Sequence, residues 1–193
     1  MSKNLTRIAG IAGILSVVLM VGIFMTLGSE GTPGTFAKAL MLGSLILGIV
    51  FVVGLYYFYR LEAATLSLVA LVVSVLGYLL FLINAKAFLS YDYSSLPIII
   101  ADILVYVVGV PLFSLLALQT HKMNRPVAIT GFLAGLAGLV IYILSFGFGA
   151  DAAHPEASLA GLANIVYYLY FLLAFGWVLW TGIILLRQKP KPA

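Results

Sequence analysis

The chain has 193 residues, of which 64% are hydrophobic and only 8% charged, with a formal net charge of +4. Its mean hydropathy is +1.20. Water cannot solvate a globular surface of that composition but a lipid bilayer can, so a soluble enzyme or soluble binding domain is excluded and an all-α integral membrane protein is expected.

A membrane-crossing helix needs roughly 20 mainly apolar residues, and six segments qualify. The first span runs from Ile8 to Leu27 and carries Gly10 and Gly13. Its apolar run is too long for the core of a signal peptide, so an uncleaved span is expected. The second span runs from Phe36 to Tyr59, with Gly43, Gly48 and Gly54 inside and Tyr56, Tyr57 and Tyr59 at its end. The third runs from Ala63 to Ile83, and Glu62 stands at its start, where a carboxylate favours a helix N-terminus.

The fourth span runs from Pro97 to Leu118 and contains Asp102, Gly109 and Pro111. Proline there removes a hydrogen bond and frees the carbonyl of Val107, which predicts a kink; it reads either as a packing bend or as a hinge. The fifth runs from Pro126 to Phe148 and holds Gly131, Gly135 and Gly138 at helical spacing. Small residues let helices approach closely, so these positions and Gly10 and Gly13 read as packing faces, inside the bundle or against another chain. The sixth runs from Leu159 to Leu186, longer than the hydrocarbon core requires, so tilt is expected. Pro97 and Pro126 fall in first helical turns, where a missing N–H costs nothing. Residues 187–193 form a short basic tail, and residues 1–193 read as one membrane domain.

Orientation follows from Lys and Arg. Lys3, Arg7, Arg60, Lys122, Arg125, Arg187, Lys189 and Lys191 all fall on one side, whereas the other holds only Lys38 and Lys86 beside Glu30, Asp92, Asp151 and Glu156. Both termini are therefore expected in the cytoplasm, in a plasma (inner) membrane. The pI near 9.3 comes from this bias, and with no basic face or stacking array no nucleic-acid partner is expected.

The chain divides into three hairpins. The first and third begin alike, Arg7-Ile-Ala-Gly-Ile-Ala-Gly and Arg125-Pro-Val-Ala-Ile-Thr-Gly, which duplication or composition alone would produce.

Asp102 is the one clear ionisable residue inside a span. Such an acid costs roughly 2.5–3.5 kcal/mol at mid-bilayer, less nearer the interface, so it should face the bundle interior or a wet cavity. Asn84, Lys86 and Asn164 fall at a similar outer depth, with Tyr106, Tyr142, Tyr167 and Tyr168 about a turn to either side. The cytoplasmic half holds mostly small and aliphatic residues. This layering predicts an outer-leaflet polar pocket among spans three to six, with Asp102 its charge, Lys86 a counter-ion, and amides and phenols its lining. A structural acid that reaches water at the interface is the competing reading.

The chemistry of enzymes is mostly missing. His121 and His154 lie on opposite sides of the membrane, so paired haem ligation is excluded. His154 with Asp151 and Glu156 has no specific metal spacing, and no metal or cofactor beyond bound lipid is expected. There is no cysteine, no H-E-x-x-H and no G-x-S-x-G.

The opening Thr6-Arg7-Ile8-Ala9-Gly10-Ile11-Ala12-Gly13-Ile14-Leu15 resembles the first helix of a group of uncharacterised bacterial six-helix membrane proteins. The resemblance covers the first span with a similar length and span count, implies a bacterial origin, and supplies no functional residues.

The expected function is non-catalytic: binding a lipid or small amphiphile in the outer pocket, or serving as an accessory subunit with a protein partner or a second copy. The alternative is a small proton-coupled transporter or channel using Asp102. A lipid-modifying membrane enzyme comes third.

Overall fold

The computed structural model describes residues 3–27, 35–89, 95–147 and 160–188. Every element in it is helical: α1 (Lys3–Leu27), α2 (Thr35–Tyr59), α3 (Ala64–Ile83), a short α4 (Ala85–Leu89), α5 (Leu96–Asp102), α6 (Val110–Thr120), α7 (Arg125–Tyr142) and α8 (Ala160–Arg187). Two π-helical stretches, Ile103–Gly109 and Ile143–Gly147, continue α5 into α6 and extend α7. The result is six helices long and apolar enough to cross a membrane. α1 starts before the expected Ile8, and α4 lies beyond the expected end of the third span.

Consecutive spans pack side by side, and α8 returns to α1. The six therefore close into a ring. Between apolar helices in hydrocarbon the hydrophobic effect supplies no attraction, so close backbone approach must supply dispersion instead. Gly10 of α1 and Gly182 of α8 do this reciprocally: a Cβ on either would lie 2.7 or 2.9 Å from the other's carbonyl oxygen. Gly54 of α2 meets Ala9, and Gly13 receives the ring of Phe51. A buried hydrogen bond adds to the α1–α2 seam, where Ser44 Oγ donates to the Ser16 carbonyl at 2.9 Å.

The fourth span departs from a simple proline kink. The change of register begins at Ile103, eight positions before Pro111, and the Val110 N–H reaches back five residues to the Val105 carbonyl. The bend expected at one residue is spread over a wider-turned stretch. Gly135 of α7 sits against its lower end, where a Cβ would overlap Pro111 Cγ and lie 3.2 Å from the Val107 carbonyl oxygen. Gly131 faces Ser114 and Trp177, and Gly138 faces Val107 and Tyr170. Gly109 packs on Ser74. All of these glycines meet partners within the chain.

One end of the ring carries Arg7, Arg60, Arg125 and Arg187, and is called the basic end below. Lys122 clasps it, donating to the Phe58 carbonyl at 2.7 Å and pairing with Glu62 at 3.0 Å. Glu62 thus serves this clasp, two residues ahead of α3, and does not lie inside the helix. The basic half is also more polar inside than expected. Ser67, Ser114 and Thr181 are fully buried there, and Tyr59, at the end of the second span, turns into the ring at 1% exposure.

Gly135→Ala should lower the melting temperature of the purified protein, because overpacking typically costs about 1–3 kcal/mol and the Pro111 ring cannot rotate away. Gly176, which has nothing within 4 Å of where a Cβ would stand, supplies the contrast: Gly176→Ala should leave melting unchanged or raise it. Thermal melts that rank the two variants the other way would contradict this packing.

Candidate functional site

Asp102 is the last residue of α5, ~9 Å along the fourth span from its first residue at the helical rise. Its side chain turns toward α7 and α8. Oδ2 accepts hydrogen bonds from Tyr142 Oη and from Tyr170 Oη, each at 2.7 Å. Three spans therefore converge on one carboxyl oxygen. Among the described residues the ion pair is Lys122 with Glu62, so Asp102 is met by phenols and not by a cation. Asp102 and Tyr142 are half-buried, and Tyr170 is buried at 3% exposure.

Each π-helical stretch starts one residue after a member of this trio, at Ile103 after Asp102 and at Ile143 after Tyr142. A π stretch widens the turn and re-aims the side chains that flank it, and such stretches are frequent at functional sites. On α8, Tyr170 reaches the carboxyl from a face of small and bulky buried residues, Ala163, Ala174, Trp177 and Thr181.

A second pair lies deeper. Tyr106 meets the Tyr170 ring edge-on at 6.3 Å, and its hydroxyl shares a hydrogen bond with that of Tyr78. Tyr78 rests on Gly48 of α2, where any side chain would collide with its ring. Beside this pair, near the middle of the ring, is a hollow of about 10 Å³ lined by Ser16, Ser44, Tyr78, Tyr106 and apolar neighbours. That is room for about one water molecule.

The expected site residues separate into two groups. Asp102, Tyr142 and Tyr106 come together. Asn84 instead ends α3, its Nδ2 donating to the Leu80 carbonyl at 2.9 Å. Lys86 is exposed on α4. Asn164 and Tyr168 face outward from α8, Tyr168 at 73% exposure. Tyr167 is half-buried, packs edge-on against Phe171 with ring centroids 4.7 Å apart, and interacts electrostatically with Tyr142 of the site. His154, Asp151 and Glu156 lie outside the described residues. Tyr170 and Tyr78 were missed from sequence. Their signal was the face they share with small residues, Ser74 one turn before Tyr78 and Ala174 one turn beyond Tyr170.

Compared with known protein families, characterised proteins and solved structures, the chain matches none. The functional reading therefore rests on the residues themselves.

Tyr170→Phe should destabilise the protein by about 0.6–1.7 kcal/mol, the range for hydrogen bonds between membrane helices. Tyr168→Phe, on the outward face of the same helix, should change stability by less than about 0.5 kcal/mol. Equal melting shifts for the two would show that the carboxyl does not depend on its phenols.

Proposed function

We propose that this is a non-catalytic multi-pass protein of the plasma membrane that receives the polar head of a lipid or small amphiphile at the Asp102–Tyr142–Tyr170 site. Both termini lie in the cytoplasm in this reading, which rests on the bias of Lys and Arg in the sequence toward one side of the six spans. The site then belongs to the outer leaflet.

One observation carries the proposal: a half-buried carboxyl, held by phenols from two other spans, with no cationic side chain of the described residues within ion-pair distance. Charged groups at such depth are costly and mark ligand or ion pathways. Around it, Ile100, Ile143 and Phe146 are 40%, 51% and 67% exposed, an apolar surface along which a tail can lie. The head enters from the lipid side and the rings of the site exclude water from it.

A second reading, a small proton-coupled transporter or channel, is favoured by one further observation. The Tyr106–Tyr78 hydroxyl pair and the adjoining hollow extend the polar row from Asp102 to the ring's centre. Proton transfer needs such a row.

Protein purified from membranes should carry a co-purifying lipid or amphiphile, detected by native mass spectrometry, and Asp102→Ala should lose most of it. Retention unchanged in the variant would remove the binding reading. A pH-driven proton flux in proteoliposomes that disappears in Asp102→Asn would install the second one. Reporter fusions should place both termini on the cytoplasmic side, and an exported terminus would invert the site to the inner leaflet.

A further inference from the structure

The direction of the hydrogen bonds at Asp102 restricts what the site can recognise. Both phenols spend their single proton on Asp102 Oδ2. The partly exposed Tyr142 Oη and the remaining acceptor positions of the carboxyl then present lone pairs to anything that approaches, with the buried Tyr170 behind them. A cation beside the carboxyl favours its ionised form, and the site is then an array of acceptors carrying one negative charge.

A head of phosphate or carboxylate would find no donor there and would meet a like charge. A neutral hydroxyl could give one proton but would leave the charge uncompensated in a medium of low dielectric, where Coulomb interactions are strong. A quaternary ammonium would bring charge but no hydrogen to donate. A primary ammonium supplies both, with three N–H donors on a compact cation.

From this acceptor geometry we propose that the ligand is an amphiphile with a primary ammonium head, its nitrogen set against Asp102 and Tyr142 and its tail along the exposed Ile100, Ile143 and Phe146. The inference rests on the binding reading above and adds the chemistry of the head. Two sources offer that head within a membrane, an aminophospholipid and a free alkylamine, and both make the same contacts.

The test uses the full chain in nanodiscs of phosphatidylcholine, which has no N–H in its head. Three fluorescent probes with one common tail are titrated by anisotropy: a primary alkylamine, its trimethylammonium analogue and the corresponding alcohol. The amine should bind at least tenfold more tightly than either of the others. Asp102→Asn should lower its affinity at least tenfold and erase the preference. Should that variant fail to fold, Tyr142→Phe, which keeps the charge and removes one acceptor, should lower amine affinity severalfold. Replacing part of the nanodisc lipid with phosphatidylethanolamine distinguishes the sources: competition identifies the aminophospholipid, and its absence identifies the free amine. If all three probes bind alike and Asp102→Asn changes none of them, the ammonium inference falls while amphiphile binding stands. If no probe binds the wild-type protein, both fall together.

Discussion

Within hydrocarbon no water stands ready to complete an unmet hydrogen bond, so every polar group must find its partner in the chain. Asp102 is where this constraint acts most strongly. Its carboxyl lies in the fourth span, and its answer comes from the fifth and sixth, as two phenol hydrogens on a single oxygen. Three helices are thereby fixed in rotation and depth relative to one another. The glycine seams let those helices approach, but a seam of small residues tolerates sliding. Hydrogen bonds to one atom do not.

The backbone follows the same logic. Pro111 cannot donate to Val107, and in a lone helix that would leave a sharp bend. Here the register widens upstream, from Ile103 to Gly109, and the Val107 carbonyl comes to rest against the bare Cα of Gly135. The wider stretch begins where Asp102 must turn toward its phenols. The proline below and the carboxyl above thus border one irregular segment, and the chain between them couples their placement. That coupling gives physical content to the sequence-level choice between packing bend and hinge: the segment is packed, and it is also the part of the span whose geometry the site depends on.

The six spans were legible because their signal is composition, and roughly 20 apolar residues in a row have few other readings. Part of the depth was legible too, since counting residues from a span's end places Tyr142 within about a turn of Asp102, and the two are bonded. Facing was not, because a residue's depth says nothing of its angle about the helix. Asn164 and Tyr168 point outward from α8, while Tyr170 points inward. The distinction was present in α8 as a stripe, Ala163, Tyr170, Ala174, Trp177 and Thr181 at spacings of three, four and seven, all buried. In a membrane helix the inward stripe is marked by small and polar residues, since the lipid face is as apolar as any core. The π stretches had no sequence signal beyond Pro111, because they arise from contacts between spans and not from local propensity.

The same reasoning explains the polarity of the basic half. Ser114 Oγ and Trp177 Nε1 are buried there with no hydrogen-bond partner. Such groups are rare in native structures and each requires a reason. Both atoms crowd the position that a side chain on residue 131 would occupy, Trp177 Nε1 within 2.7 Å of it. Glycine at 131 therefore brings an indole donor and a hydroxyl acceptor into one small space, from two different spans. At the other end the fifth span is tied to the fourth by the bond from Tyr142 to Asp102, with Gly135 packed on Pro111 between. A helix packed closely at one end and bonded at the other has little freedom to rotate, which is what a site built from one of its last residues, Tyr142, requires.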